Sequence, residues 1–159
     1  MKKPEIPINE SERLQALNEY RILGTKPEEN YDDITKIASL TCGAPIALLS
    51  LVDSNRQWFK AKVGIDAEET VRDWSFCAHA IHSSEPLIVE DALKDERFFD
   101  NPLVQGEPKI RLYAGFPLQN DKNLRIGTLC VIDREPHGLS DTQFSIMQSL
   151  SRQAVAFLE

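Results

Sequence analysis

The stretch that decides the fold is PIALLSLVDSNRQWFKAKV, which spans residues 45–63. Ile46–Val52 is almost wholly apolar, and residues 57–63 are rich in aromatic and β-branched side chains. Between the two runs, residues 53–56 read Asp-Ser-Asn-Arg, a composition typical of a turn. Two apolar runs joined by a short polar turn predict an antiparallel β-hairpin that is buried on at least one face.

Two helices are predicted before this hairpin. Residues 9–23 carry Leu14, Leu17 and Ile22 at helical spacing, and Gly24 ends the segment. The second helix starts near Pro27, which suits a first helical position, and Gly43 is a natural left-handed residue after its last turn. Its predicted buried stripe consists of Tyr31, Ile34, Ala38 and Thr41.

Shorter elements follow the hairpin, and a long helix closes the chain. The expected elements are an acidic loop at 66–73, a short helix at 75–83, a short strand at 87–90, a helix and turn at 95–104, and strands at 110–118 and 124–133. Ser140 and Gln143 form a capping box at the start of the last helix, residues 140–159, because each can satisfy the other's free backbone donor. No stop signal follows, so this helix either continues into an output domain or frays at the end of the chain.

The order of elements predicts one α+β domain over residues 1–159, with residues 1–23 as an N-terminal helical extension. Strands that follow one another through short turns pair antiparallel, and helices at both ends of the chain do not suit a doubly wound parallel sheet. No internal repeat, linker or low-complexity segment divides the sequence. A length of 159 residues is ordinary for a single domain.

Composition and charge exclude several classes of function. Eighteen Lys and Arg against 25 Asp and Glu give a net charge of −7, and the basic residues are scattered singly. Binding to nucleic acid or to an anionic membrane surface is therefore not expected, since both need a concentrated basic face. No apolar run reaches the roughly 18–20 residues of a membrane span. The three cysteines are far apart and odd in number, which favours the reducing cytoplasm over a disulfide framework.

Six segments in a fixed order resemble the GAF domain family. They are residues 45–53, 56–60, 75–81, 89–92, 113–118 and 126–133. The resemblance implies a central antiparallel sheet of five or six strands, with the terminal helices on one face and a pocket roofed by short helices and loops on the other. GAF domains of this kind typically occur in bacterial signalling proteins, fused to histidine kinases or diguanylate cyclases. A homodimer formed through the terminal helices is the expected partner.

Aromatic and polar side chains of the middle segments are candidates to line that pocket. The predicted ligand-binding residues are Trp58, Trp74, Phe76, Cys77, His79, Asp91, Arg111 and Tyr113. Trp74 and Arg111 lie in or beside an expected roof loop, and a charged or polar tip such as Arg111, His79 or Asp91 would orient a ligand. The aromatic side chains are also explained as core residues. The residues do not identify the ligand, and no tightly bound cofactor is expected.

Cys77 and His79 suggest three other chemistries. A metal site is disfavoured, because residues two apart on a helix point about 200° away from each other, and His79 with His82 supplies only two ligands. Covalent bilin attachment in this family uses a cysteine followed directly by histidine, whereas Ala78 intervenes here. The free methionine sulfoxide reductases of the family place a key cysteine in a loop corresponding to residues 101–109, where this chain has none.

Three functional hypotheses remain at this point. The first is a sensory domain that binds a small molecule and passes a change through its terminal helices. The second is a small thiol enzyme acting on an oxidised metabolite such as free methionine sulfoxide, with turnover abolished by Cys77→Ser. The third is a structural dimerisation domain with a filled core and no ligand.

Overall fold

Six strands form one antiparallel sheet in the computed structural model, which describes residues 1–159. They are β1 Ile46–Val52, β2 Arg56–Val63, β3 Glu69–Val71, β4 Leu87–Val89, β5 Leu112–Gln119 and β6 Arg125–Asp133. Their order across the sheet is β3-β2-β1-β6-β5-β4. The predicted hairpins β1–β2 and β5–β6 therefore meet at the centre, where β1 pairs with β6. The α+β fold and the six-stranded antiparallel sheet are confirmed.

Five α-helices cover the two faces of this sheet. They are α1 Glu10–Glu19, α2 Glu29–Cys42, α3 Phe76–Ala80, α4 Pro102–Gln105 and α5 Asp141–Leu158. The first, second and last pack on one face, and α3 and α4 lie over the other with two short 3-10 turns, Arg72–Trp74 and Ala92–Lys94. No helix combines the length and the apolar character that crossing a membrane would need.

The alternation of strand residues divides the interior into two cores. Ala47, Leu49 and Leu51 of β1 face the helices α1, α2 and α5, whereas Ile46 and Leu48 face the opposite side. This division follows from the strand geometry, in which successive side chains point to opposite faces. Both faces of β1 are buried, which explains why its sequence is continuously apolar rather than alternating.

The long helices α2 and α5 run antiparallel on the first face. The Gln143 side-chain amide at the start of α5 donates to the Thr41 carbonyl at the end of α2, and the rings of Tyr31 and Phe157 meet edge to face at the other end. The predicted capping box is confirmed: the Ser140 backbone N–H donates to Gln143 Oε1 at 2.8 Å, and the Gln143 N–H donates to Ser140 Oγ at 3.1 Å. The predicted left-handed Gly43 ends α2 with φ of 60°.

A bulge in the first hairpin directs a lysine into the helical side of the molecule. Leu49 pairs with Ala61 and Ser50 pairs with Phe59, so Lys60 is an extra residue in β2. Its side chain is buried, and its ammonium group donates to the Thr25 hydroxyl and to the Lys26 carbonyl. The bulge thereby fastens the α1–α2 linker to the sheet.

Three boundaries differ from the sequence-based expectations. The acidic segment 66–73 is not only a loop, because Glu69–Val71 pairs with β2 as the edge strand β3. The first helix spans Glu10–Glu19 rather than residues 9–23, since Arg21 adopts φ of 54° and breaks it. The expected helix at 95–104 is mostly turns, and only Pro102–Gln105 is helical. A three-residue edge strand carries too little periodicity to be recognised from sequence.

Candidate functional site

A small, partly open cavity lies between the sheet and the segments that cover its second face. Its volume is about 40 Å³, enough for one or two water molecules and far below the roughly 300 Å³ of a typical drug-sized site. The lining residues are Ile46, Leu48, Gln57, Phe59, Ile65, Thr70, Phe76, Cys77, Leu103, Pro108, Ile110, Tyr113, Cys130 and Ile132. None of them carries a formal charge, so the cavity is an apolar space with a few neutral polar groups.

One wall of the cavity is built around the sulfur of Cys77. The Tyr113 hydroxyl donates to Cys77 Sγ at 3.1 Å, and the Thr128 hydroxyl lies 3.0 Å from the same sulfur. Cys130, two residues after Thr128 on the same face of β6, lines the same cavity. Burial by itself raises the pKa of the Cys77 thiol, but the polar neighbours of the sulfur outweigh burial and lower the pKa to about 6. Cys77 therefore carries a thiolate more readily than an ordinary cysteine.

The neighbours of Cys77 remain protonated and act as donors. Burial raises the pKa of Tyr113 well above its usual value, and the negative charge developing on Cys77 raises it further. The hydrogen bond with Cys77 and burial together raise the pKa of Cys130 well above the ordinary thiol value. The cluster thus holds one sulfur that accepts a hydrogen bond from the Tyr113 hydroxyl and lies at hydrogen-bonding distance from the Thr128 hydroxyl.

Gly115 makes room for the Tyr113 ring in this cluster. A Cβ added at Gly115 would lie only 2.2 Å from the Tyr113 hydroxyl oxygen. Any side chain at position 115 would therefore move the hydroxyl away from Cys77. The sequence analysis missed Gly115, Thr128 and Cys130 as site residues. Positions 128 and 130 lie two apart on β6 and so share a face, which is the signal that would have grouped them.

A second polar cluster fixes α3 over the cavity. Ser50 and Ser75 both donate to the Gln57 side-chain carbonyl, at 3.0 Å and 2.8 Å, and the Gln57 amide donates to the Thr70 hydroxyl. The Ser75 hydroxyl also accepts from the Ala78 backbone N–H, which caps the start of α3. Since Cys77 is in the first turn of α3, this network fixes the position of its sulfur.

Three of the predicted site residues meet at the cavity. Phe76, Cys77 and Tyr113 all line it, and Phe76 stacks on Phe98 with ring centroids 3.9 Å apart. Trp58 does not join them, because it points to the helical face and is part of the other core. Its neighbour Phe59 occupies the cavity wall instead. The expected position of Trp58 is corrected accordingly.

The other four predicted residues lie on the outside of the roof. Trp74 is 38% exposed, and its backbone carbonyl accepts from the Asn101 side chain. Asp91 accepts from the Leu93 N–H and caps a 3-10 turn, and the Arg111 guanidinium donates to two carbonyls of the roof at about 3 Å. His79 packs against Phe98. These side chains shape the roof and do not line the cavity, and their contact with a ligand stays a prediction.

The N-terminal segment, residues 1–8, crosses the roof above α3. His79 Nε2 lies 3.2 Å from the Lys2 carbonyl, and His82 Nε2 lies 2.7 Å from the Glu5 carbonyl. Burial lowers the pKa of His79 to about 4, and the positive charges of Arg97 and Lys2 contribute to the lowering. His79 is therefore neutral near pH 7 and donates its Nε2–H to the chain above it. No three His, Cys, Asp or Glu side chains are grouped to hold a metal ion.

Comparison with known proteins places this architecture in a family. The family profile described as GAF domain matches residues 26–158. A curated relative from Pseudomonas aeruginosa, named as a cyclic di-GMP phosphodiesterase, is 41% identical over 157 residues. That alignment covers 98% of this chain but only 27% of the relative, so the chain spans about a quarter of its length.

Solved structures share the fold at low sequence identity. The GAF domain of an Acinetobacter phosphoenolpyruvate-protein phosphotransferase superposes with a TM-score of 0.66 at 18% identity, covering 95% of this chain and 93% of that chain. A free methionine-R-sulfoxide reductase from Neisseria meningitidis superposes with a TM-score of 0.65 at 13% identity, covering 87% and 83% of the two chains. At these identities the likeness concerns the fold alone.

Proposed function

Because the chain belongs to the GAF domain family, we propose that it is the sensory and regulatory domain of a longer, cytoplasmic signalling protein. The observation that carries the proposal is the small apolar cavity between the sheet and its roof, in which Phe76, Cys77 and Tyr113 meet. A structural dimerisation domain would not need a cavity with a hydrogen-bonded thiol in its wall. The similarity to one segment of a cyclic di-GMP phosphodiesterase supports a place beside an output domain, such as a phosphodiesterase or the kinase of a two-component system.

The cavity favours a small uncharged ligand. A phosphate or carboxylate in it would lose its hydration without meeting any cation, since no Lys, Arg or His lines the space. The nearest guanidinium of the roof, that of Arg111, is already bound to the carbonyls of Val104 and Ile110. A cyclic nucleotide is too large and too charged for this geometry, whereas a molecule about the size of one or two waters fits.

Transmission would run from the cavity through the sheet to the terminal helices. The strands β1, β2, β5 and β6, which line the cavity with some of their residues, contribute their alternate residues to the core beneath α2 and α5. We expect two copies to pair through exposed apolar side chains of these helices, among them Ile37, Leu40 and Phe157. A ligand acts as a signal only when it favours one arrangement of the pair over another.

Native mass spectrometry followed by a denaturing run tests for an occupant and for dimerisation together. An additional mass in the native spectrum that is lost on denaturation identifies a bound neutral molecule. Xenon is a suitable probe for the empty protein, because it is uncharged and small enough for an apolar cavity. Under xenon pressure we expect NMR shift changes concentrated at Leu48, Ile110 and Ile132. Shift changes absent there, or equally large in the helical core, would contradict the proposed binding site.

A second candidate function is a free methionine sulfoxide reductase-like thiol enzyme. The lowered pKa of Cys77, together with its hydrogen bond from the Tyr113 hydroxyl, favours it. The cavity size opposes it, because an amino-acid substrate needs several times the space observed. Thiol-dependent reduction of free methionine sulfoxide that disappears in Cys77→Ser would establish this function over the sensory one.

A further inference from the structure

We propose that Cys77 and Cys130 are a redox-active dithiol, which hydrogen peroxide or a similarly small hydroperoxide converts to a disulfide inside the cavity. The inference deepens the proposed function and rests on it, because it names the class of molecule that the same cavity would detect. The observation that carries the inference is the arrangement of two thiols, those of Cys77 and Cys130, and two hydroxyls, those of Tyr113 and Thr128, around one small cavity.

The two sulfurs come from opposite sides of the cavity wall. Cys77 is on the roof helix α3 and Cys130 is on the central strand β6, and both line the same 40 Å³ space. Cys77 Sγ lies 3.0 Å from the Thr128 hydroxyl, and Thr128 precedes Cys130 by two residues on the same face of β6. Both cysteines are buried and free, so neither is committed to another covalent partner.

The surroundings of Cys77 favour attack by its sulfur. A thiolate is the nucleophilic form of cysteine, and it needs donors when it is buried. The hydroxyls of Tyr113 and Thr128 lie 3.1 Å and 3.0 Å from the sulfur and supply them. Cys130 retains its proton, which suits the resolving thiol of such a pair.

The cavity selects for a small uncharged oxidant. Hydrogen peroxide is close to two waters in size and carries no charge, so the neutral lining does not oppose its entry. Four lining side chains are half-buried and lie at the solvent side of the cavity, on the edge strand β3, on α4 and on the adjoining loops: Ile65, Thr70, Leu103 and Pro108. Movement of these loops would admit the molecule without unfolding the sheet.

The reaction balances with the hydroperoxide as its only co-reactant. The Cys77 thiolate attacks one peroxide oxygen, the O–O bond breaks, and the leaving hydroxide takes a proton to become water. Cys77 is then a sulfenic acid, oxidised by two electrons. The Cys130 sulfur attacks Cys77 Sγ, an S–S bond forms, and the sulfenic oxygen leaves as a second water with the thiol proton. The hydroperoxide is reduced, and the roof helix becomes covalently tied to the sheet.

The third cysteine provides a matched control within the chain. Cys42 is buried at the end of α2 in the other core, and burial raises its pKa to about 11. It has no thiol neighbour and does not line the cavity. If oxidation depended only on accessibility or on general thiol damage, Cys42 would be oxidised together with Cys77 and Cys130. The proposed chemistry instead leaves Cys42 as a free thiol.

The test begins with the unmodified protein and therefore does not depend on any variant folding. The folded, reduced chain is treated with hydrogen peroxide, quenched, denatured and labelled with N-ethylmaleimide. We expect the reduced protein to take a label at all three cysteines, and the oxidised protein to take one at Cys42 only. Peptide mapping should then recover a Cys77–Cys130 cross-link. A protein that keeps three labels at doses that oxidise free thiols, or a cross-link that includes Cys42, overturns the proposal.

Variants separate the two roles of the pair. In Cys130→Ala the reaction should stop at a sulfenic acid on Cys77, which dimedone traps. In Cys77→Ser, Cys130 should remain a thiol, and Cys42→Ser should form the disulfide at the wild-type rate. Tyr113→Phe keeps both thiols but loses one donor, and we expect oxidation about tenfold slower. Equal rates in Tyr113→Phe and the wild type would contradict the assigned role of the Tyr113 hydroxyl.

Failure of this inference and failure of the proposed function give different results. Unreactive thiols together with xenon shifts at Leu48 and Ile132 would refute the dithiol but keep a neutral-ligand cavity. A disulfide that forms as expected but leaves the output of the full-length protein unchanged would keep the chemistry and refute the regulatory role.

Discussion

Two arginines, Arg13 and Arg72, are almost completely buried around one glutamate. Arg13 Nε donates to Glu10 Oε1 at 2.7 Å, and Arg72 forms a bidentate ion pair with the same carboxylate. The remaining contacts go to the backbone: Arg13 Nη1 donates to the Val52 carbonyl, and Arg72 Nη1 donates to the Asp53 carbonyl. One nitrogen on each guanidinium has no partner. A single carboxylate thus stabilises two buried cations and joins α1 to the first hairpin and to the turn before α3.

Replacing that carboxylate should destabilise the protein strongly. In Glu10→Gln both guanidiniums lose their counter-charge in a buried position, and we expect a loss of about 3 kcal/mol in the free energy of unfolding. Urea denaturation measures the loss. Glu12→Gln is the matched control, because Glu12 is exposed on the same helix and should change the stability by less than about 0.5 kcal/mol. Equal effects of the two substitutions would contradict this role for Glu10.

A second prediction at the residue scale concerns the space left by Gly115. A methyl group there would collide with the Tyr113 hydroxyl oxygen, which lies 2.2 Å from the position of the added Cβ. In Gly115→Ala we expect the pKa of Cys77 to rise, and its alkylation by iodoacetamide near neutral pH to slow about tenfold.

The control for Gly115→Ala is the combination with Tyr113→Phe. Once the hydroxyl has been displaced, removing it should slow alkylation no further, so the double variant should react like either single variant. Circular dichroism verifies that each variant is folded. Alkylation of Gly115→Ala at the wild-type rate would show that Tyr113 does not depend on the glycine.

At the scale of elements, the roof of the cavity consists of short segments that pack on the second apolar core and are held in place by polar contacts. The helix α3 has five residues, and it is fixed by the Ser75 cap and by the N-terminal segment above it. Short elements of this kind are the parts of a fold that open most readily. The long helices α2 and α5 lie on the opposite face of the sheet and do not line the cavity.

The contact between α3 and the N-terminal segment should give the protein a defined acid sensitivity. Burial lowers the pKa of His79 from 6.5 to about 4. Between these two pH values the unfolded chain binds a proton at His79, whereas the folded chain does not. The stability contributed by neutral His79 is therefore complete above pH 6.5 and is lost as the pH falls toward 4. Between pH 7.5 and 5 the loss should be about 1–2 kcal/mol.

Comparison of two histidine variants isolates this contribution from the titration of the carboxylates. We expect the stability of His79→Gln, measured by urea unfolding, to fall less between pH 7.5 and 5 than that of the wild type. His82→Gln, at an exposed position on the same segment, should retain the wild-type pH dependence. If the stability of His79→Gln falls with pH as much as that of the wild type, the acid sensitivity comes from other groups.

At the scale of the whole molecule, exposed apolar side chains on the terminal helices predict self-association. Leu40 is 73% exposed near the end of α2, and Ile37 and Phe157 are also exposed. Large apolar side chains at such exposure on neighbouring helices are typical of a surface that pairs with another protein. With a second copy as the partner, the helices of both copies would form the contact.

Substitution of one of these side chains should weaken the dimer. We expect Leu40→Glu to raise the dimer Kd at least tenfold, because the carboxylate would have to be buried in the contact. Analytical ultracentrifugation over a range of concentrations measures the Kd. Leu93→Glu is the control, since Leu93 is exposed on the roof, away from α2 and α5. A wild-type protein that stays monomeric at high concentration would contradict the prediction.

The sequence by itself determined the elements whose signals are local. The apolar runs around residues 53–56 fixed the first hairpin, Ser140 and Gln143 fixed the start of α5, and Gly43 fixed the end of α2. Each of these signals acts between residues close together in the chain, through backbone hydrogen bonds or allowed φ values. The ordered segments also identified the family.

Only the tertiary structure decided which side chains form the site. Trp58 and Phe59 are neighbours in β2 and must point to opposite faces, but nothing in the sequence says which face holds the cavity. The bulge at Lys60 and the edge strand β3 depend on pairing across the sheet. The cluster of Cys77, Tyr113, Thr128 and Cys130 likewise depends on contacts between segments that are distant in the chain. Tyr113, Thr128 and Cys130 lie on the neighbouring strands β5 and β6, and Cys77 joins them because α3 packs across these strands, a contact over 36–51 residues of chain that no local pattern encodes.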